Sequence, residues 1–353
     1  MFKKILLFVV LLFINFTFSQ TVDVVTGLNH PVGIAISGNE IFIAEHASVP
    51  NSGIISKADI SISNPTKEDL ITNLGYPRAV CLVGDELYYA TNNLSKLNIN
   101  DANPTGTHVI YTNSPRALIA TEDELFISGD DRISKIDLTS ANPYLQLVVG
   151  NIEARILAFA LKGDELYFAY ANKVSKINIT DANPVVEEVV IGFESNVYSL
   201  AFFEDTLIVG LALYYKLLTV DMNDSVLIAE EFISNMSGQP MNILVHNNEL
   251  FIAGGQGDKV FKVGDLNTLL SIKDNKPVLT PRVYPNPTLD NIQISSLLES
   301  IQFEVYNANG AKVNDGILKP KGQIDMSHLS SGLYYLKLKD AKQTETYLKV
   351  IKQ

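Results

Sequence analysis

Residues 162–184 read KGDELYFAYANKVSKINITDANP, and most of this skeleton returns in altered form five more times along the 353-residue chain. It is plain at residues 84–104 (GDELYYATNNLSKLNINDANP) and 122–143 (EDELFISGDDRISKIDLTSANP), and looser around Ile41, Leu207 and Leu250. With the apolar residue after each turn as a ruler, Ile41, Leu87, Leu125, Leu166, Leu207 and Leu250 are separated by 46, 38, 41, 41 and 43 residues. Six units of about 40 residues, rich in β-branched and aromatic side chains, fit four-stranded propeller blades and not helical repeats.

Four strands can be read within each unit. The first is apolar (GIAIS, AVCLV, ALIAT, LAFAL, SLAFF, NILVH), as an innermost strand covered on both faces should be. A tight turn follows at Gly38-Asn39, Gly84-Asp85, Glu122-Asp123, Gly163-Asp164, Glu204-Asp205 and Asn247-Asn248; these residue types tolerate positive φ and suit two-residue hairpins. An ELYFA-like second strand and an ISKID-like third strand (Ile55, Leu94, Ile133, Val174, Leu217, Val260) come next. The outer strand is a segment such as HVIYT or EEVVI. The sixth unit has no such segment after KVFKV (259–263), whereas TVDVVTGLNHP (21–31) resembles the outer-strand segment that precedes each later unit. The N-terminal strand is therefore expected to complete blade six and close the ring, which removes the open edges.

The ends read differently. Residues 1–19 place Lys3 and Lys4 before an apolar run, with Thr17 and Ser19 ahead of a cut at Gln20, the pattern of a secretory leader. No later stretch reads as membrane-spanning. Residues 271–281 are a polar, proline-punctuated linker, followed by VYPNPTLDNIQI, FEVYNANGAKV, IDMSHLSSGLYYLKLK and TYLKVIKQ. Alternating strands joined by Gly and Asn turns describe a small antiparallel β-sandwich. The expected organisation is all-β: leader 1–19, six-bladed β-propeller 20–270, linker 271–281, sandwich 282–353.

The net charge of −12 argues against nucleic acid and anionic membrane surfaces, which want clustered Lys and Arg. Cys81, in AVCLV, has no disulfide partner in the chain and reads as a small core side chain. No GxSxG, Walker loop, Rossmann fingerprint or CxxC is present. His30, His46, His108 and His246 lack metal-ligand spacing; His30 and His46 fall near the channel mouth and His108 on an outer strand. The turns at 98–104, 137–143 and 178–184 alternate oxygen-bearing side chains, as calcium would want. The expectation is that they cap their own backbone, with calcium as the alternative.

Counting back two from Ile34, Val80, Leu118, Leu157, Leu200 and Ile243 gives Val32, Arg78, Arg116, Arg155, Tyr198 and Met241. In a propeller these positions converge on one mouth of the central channel. The loops that open on the same face carry Glu45 and His46, Asn92 and Asn93, Asp130 and Asp131, and Tyr170 and Asn172. Three clustered arginines repel unless acids or an anion compensate, and guanidinium forks suit carboxylate, sulfate or phosphate. A ligand's anionic group would be held by Arg78, Arg116 and Arg155, with Tyr198 stacking on a sugar ring and Asn92, Asn93 and Asn172 orienting it. Beside this stands a reading in which the arginines pair with Asp130, Asp131, Glu45 or Glu153 and simply hold the blades.

HPVGIAISGNEIFIAE (30–45) and ISKIDL (133–138) resemble NHL-type and gluconolactonase-like six-bladed propellers. That resemblance implies a divalent metal in the channel, held by an acid at the start of the chain and Asn or Asp from other blades. Here the first inner strand begins His30-Pro31-Val32, with no acid at that place. Tyr284-Pro285-Asn286-Pro287, Tyr306, Asn309-Gly310, Ser331-Gly332-Leu333-Tyr334 and the basic tail with Lys349 and Lys352 resemble the type A C-terminal sorting domain of the Bacteroidetes type IX secretion system. The resemblance implies export by that machinery, removal of the domain by its sortase, and surface attachment or release. The expected function is a non-catalytic binding module for an extracellular ligand such as an anionic glycan, with no cofactor evident. The alternative is a channel-centred gluconolactonase-like hydrolase or lyase, or a quinoprotein-like dehydrogenase.

Overall fold

A computed structural model describes residues 21–46, 49–224, 226–271, 283–294, 301–319, 322–339 and 345–353. The expected leader, and the expected linker apart from Ser271, lie outside the described residues. These residues fall into two compact units, one ending at Leu269 and one beginning at Leu270.

The first unit is six four-stranded antiparallel sheets. Blade one runs Pro31–Ser37, Glu40–Glu45, Gly53–Asp59, Glu68–Leu74, from inner to outer strand. The inner strands of blades two to six are Ala79–Val83, Leu118–Ala120, Ile156–Lys162, Ser199–Phe203 and Asn242–His246. Each touches the next in chain order, and the sixth touches the first, so the blades form a closed ring. Closure comes from the expected place: Thr21–Thr26 pairs antiparallel with Lys259–Val263 as the outer strand of blade six, with Val25 opposite Val260.

The repeated sequence has a local explanation. In the second strand, Glu165 opens the segment and Tyr167 lies opposite Lys176 of the third strand. Lys176 pairs with Glu165 and sits over the Tyr167 ring. The same trio recurs as Glu86, Tyr88 and Lys96, as Glu124, Phe126 and Lys135, and as Glu249, Phe251 and Lys262. Such half-exposed ion pairs contribute about 0–1 kcal/mol each. The cation over the ring adds a comparable amount, so the letters E-L-aromatic…S-K mark blade geometry and not a site.

The stabilising mass lies between blades, where strand faces bury their apolar side chains. Phe42, Ile55, Val80, Leu87 and Tyr89 join blades one and two; Phe126, Ile133, Phe159, Leu166 and Phe168 join three and four. The seam of the ring is packed by Val25, Leu28, Ile34, Ile43, Phe251 and Val260. At the axis the inner strands approach closely through a ring of small residues. A Cβ on Gly33 would lie 3.1 Å from Ala79 Cα and 3.2 Å from Val80 N, tighter than a side chain tolerates without movement. Polar members of this ring bond across: Asn242 Oδ1 accepts from Ile34 N at 3.1 Å, and Ser199 Oγ donates to the Pro240 carbonyl at 2.8 Å.

The second unit is a small sandwich. One sheet is Val283–Tyr284, Asn291–Ile294 and Ile324–Asp325; the other orders Lys312–Leu318, Ile301–Asn307, Gly332–Lys339 and Glu345–Lys352. Its core includes Ile292, Phe303, Val305, Met326, Leu336, Leu338 and Val350.

Candidate functional site

Side chains from all six inner-strand starts converge on one chamber of about 90 Å³, lined by Val32, Arg78, Arg116, Leu157, Tyr198 and Met241, with His30 and His46 from blade one. Each of the six lies six residues before its hairpin turn. Five are the residues expected. In blade four the ring position belongs to Leu157 and not to Arg155. The pairing of Ile156 with Tyr170 and of Ala158 with Ala169 leaves Leu157 as an extra, bulged residue, as Val32 is in blade one. The residue equivalent to Ile34 is Phe159, paired with Phe168 as Ile34 is with Ile43, so counting from Leu157 in the apolar run misplaces the register by two.

Arg155 stands beside the chamber. It pairs with Asp130, which also accepts from Asn113 Nδ2 at 3.2 Å. Asp130, Arg155, Asn196, Ala154 and Ala171 line a second, open groove of about 490 Å³ that shares Arg116, Leu157 and Tyr198 with the chamber. Asn196 is a groove residue that sequence reasoning missed.

The other loop candidates line neither the chamber nor the groove. Glu45 is fully buried and does not line the chamber. Its carboxylate accepts from Asn29 N (2.8 Å), Ser56 Oγ (2.6 Å) and Lys67 Nζ (2.8 Å). Asn92 bonds Ser114 through both its side chain and its carbonyl, and the Asn93 carbonyl accepts from Thr91 N. Asp131 grips Arg132, and Asn172 donates to the Phe193 carbonyl. In the turns read as caps of their own backbone, with calcium as the alternative, Asp137 Oδ1 accepts from Thr139 N and Oγ1, and Asn178 Oδ1 from Thr180 N and Oγ1. Cys81 packs against the Tyr88–Leu125 cluster, and burial pushes its thiol up to about 12, which leaves it a poor nucleophile.

The chamber is therefore cationic and lacks a compensating carboxylate of its own. Among the described residues, Arg78 Nε and Arg116 Nε are buried with no hydrogen-bond partner; the longer contact from Arg78 Nη1 goes to the Thr91 carbonyl at 3.4 Å. Burial first, then the charges of Arg116 and Arg155, pull the Arg78 guanidinium below the usual arginine range, and burial followed by Arg155 does the same to Arg116. Both stay charged at neutral pH because arginine starts so high. Burial also lowers His30, against the pull of Asp258, and His46, against its bond from Nδ1 to the Pro77 carbonyl at 3.2 Å. The histidines are neutral at pH 7, with ring centroids 6.1 Å apart. A divalent cation wants several hard oxygen donors; two guanidiniums, three apolar side chains, two imidazoles and one phenol do not fit such an ion.

In the second unit the sorting-type residues form the scaffold of the last strand. The Asn286 side chain donates to the Lys349 carbonyl at 2.7 Å and accepts from Ile351 N at 2.9 Å, stitching the Tyr-Pro-Asn-Pro segment to the strand edge. Thr288 N donates to the Ile351 carbonyl, and Gln353 N to that of Thr288. Gly310, at φ +78°, completes a turn in which Asn307 Oδ1 accepts from Asn309 N and Ala311 N. The ring of Tyr334 is buried while its hydroxyl donates to the Ser330 carbonyl at 2.8 Å, and Gly332 faces Lys352 across the ladder.

Residues 282–353 match the family described as the secretion system C-terminal sorting domain. The C-terminal unit is a type IX sorting domain. It marks the chain for export by that machinery, to the cell surface or beyond. No helix among the described residues is long and apolar enough to cross a membrane. The propeller is similar in fold to the PQQ-bound aldose sugar dehydrogenase of Streptomyces coelicolor (TM-score 0.52, 11% identity, 68% of this chain and 95% of that one). A putative glucose dehydrogenase-type oxidoreductase of Thermus thermophilus gives 0.51, 12%, 69% and 98%, and the protein YjhT 0.51, 13%, 67% and 94%. At these identities the likeness concerns the fold. A comparison with curated proteins finds no match.

Proposed function

We propose that the protein is an exported, surface-directed propeller that binds an extracellular ligand through an anionic group seated at the channel mouth, without catalysing its conversion. The carrying observation is the pair of guanidinium groups, Arg78 and Arg116, that line one chamber with no carboxylate among its described lining residues, their Nε atoms buried without a partner among the described residues. A buried donor without a partner costs about 1–3 kcal/mol, more when charged, and two like charges add to that. A bound anion offsets the like-charge repulsion of the two guanidiniums. The nearby acids are committed elsewhere, Glu45 to Lys67 and Ser56, Asp130 to Arg155 and Asn113. Asp258 accepts from His30 N at 3.0 Å, and no carboxylate is among the described residues that line the chamber, where a hydrolase or lyase would want one as base. The chamber is also far smaller than the roughly 300–1,000 Å³ of pockets that enclose a whole cofactor-sized ligand.

On this reading the type IX machinery and its sortase are the export partners, and the sorting domain is removed on the way. The test is titration of the purified protein with acetate, sulfate and galacturonate at low and physiological salt, using the wild type, Arg78→Met and Arg116→Met. Salt-sensitive binding that either substitution weakens, in variants that melt as the wild type does, supports the reading. Variants that melt early and bind normally would make the arginines scaffold only.

A further inference from the structure

The chamber and the groove beside it differ in size and in chemistry, and they share a wall. The chamber of about 90 Å³ has room for one small anionic group with little or no water beside it. Its chemistry agrees. Two guanidiniums present donors suited to the two oxygens of a planar anion, while Val32, Leu157 and Met241 offer carbon surface that a heavily hydrated dianion would not tolerate.

The groove of about 490 Å³ is lined by different groups. The Asp130 carboxylate accepts, Asn196 both donates and accepts, and the Tyr198 ring gives an aromatic face. Arg155 is anchored to Asp130, so the acceptor is positioned before anything arrives. Hydroxyl-rich rings with one apolar face are the chemistry such a wall recognises.

We propose that the site is bipartite: the chamber takes the carboxylate of a terminal uronate-type sugar, and the groove takes the sugar next to it across the shared wall of Arg116, Leu157 and Tyr198. This rests on the anion-binding reading above and assigns its ligand class, an acidic oligosaccharide bound at its end. A peptide C-terminus carries the same anionic group and its amides can bond Asp130 and Asn196, but it lacks the ring face that the Tyr198 aromatic wall would stack on.

The experiment is calorimetric titration of the full chain with galacturonate, digalacturonate, carboxyl-reduced digalacturonate, sodium sulfate and the peptide acetyl-Gly-Ala-Ala. Digalacturonate should bind about tenfold or more tightly than galacturonate, and carboxyl reduction should lose at least as much, since a site built for a polar group rejects ligands lacking it. Asn196→Ala should bring the disaccharide down to the monosaccharide's affinity and leave the monosaccharide unchanged. Arg116→Met should weaken both, with Arg116→Lys restoring part and a normal melt showing that the fold is intact. Equal affinity for mono- and disaccharide, or tighter binding of sulfate or of the peptide, overturns the bipartite assignment. If arginine-dependent, salt-sensitive anion binding persists in those cases, the inference fails alone; if no anion binds, the anion-binding reading fails with it.

Discussion

Ring closure by the N-terminal strand can be tested with a pair of valines on that one strand. Val25 is 0% exposed, inside the cluster that joins blades six and one, whereas Val22 is 57% exposed. Val25→Ala removes two carbon groups worth about 0.8 kcal/mol each in transfer. The cavity left at a packed seam adds to that, for a loss of about 2–3 kcal/mol. In a domain of this size each kcal/mol lowers Tm by about 2–4 °C, so the propeller transition should fall by roughly 5–10 °C. Val22→Ala should move stability by no more than about 0.5 kcal/mol. Differential scanning calorimetry with limited proteolysis of the 249–263 hairpin reads both. Equal effects of the two substitutions, or an unchanged melt for Val25→Ala, would refute the claim that this strand seals the ring.

Glu45→Ala should destabilise the propeller by about 1–3 kcal/mol, because the Ser56 hydroxyl and Asn29 N lose their acceptor while Lys67 keeps Asp69, and galacturonate affinity stays within error; a loss of affinity without a loss of stability would return Glu45 to the site. For His30 and His46, the unfolded chain protonates near pH ~6.5 and the folded pair below it. The unfolded state therefore binds more protons in that window, and stability falls as pH drops below about 6.5. His46→Gln should flatten the decline between pH 7.5 and 5.5, and an unaltered slope would count against it. Truncation before residue 282 should leave a folded propeller that fails to reach the cell surface, checked by surface proteolysis of whole cells; normal surface levels would contradict the sorting role. Asn286→Ala, by freeing the last strand at Lys349 and Ile351, should lower the melt of the sorting unit and not that of the propeller.

The blades are legible because their signals are local. A hairpin turn of Gly-Asp type, an alternating third strand and a missing outer strand each occupy a few neighbouring residues, and the closing strand follows by subtraction. The site is legible only where the register is. Within ILAFAL every letter is apolar, so Leu157 and Phe159 are equally good matches to Ile34; a slip of two keeps the alternation, and Arg155 reads as the ring residue in place of Leu157. Counting back from Gly163 finds the right one, since the turn anchors the register from the other end. Glu45 reads as a channel group because its partners, Ser56 and Lys67, lie 11 and 22 residues away, beyond any local pattern. Asn92, Asn93 and Asn172 look like ligand groups but lie outside the lining of the chamber and the groove, a placement that depends on tertiary contacts.

The closing strand also changes how the molecule carries a load. Lys259–Val263 is the last strand before the chain leaves the propeller, and it lies between Glu249–Ala253 on one side and Thr21–Thr26 on the other. A pull on the C-terminal end therefore meets hydrogen bonds on both flanks, loaded together in shear along the strand, where an unclosed ring would offer a single free edge to peel bond by bond. The Thr21–Thr26 strand thus clamps Lys259–Val263 and, because it runs on into blade one, ties blades six and one together.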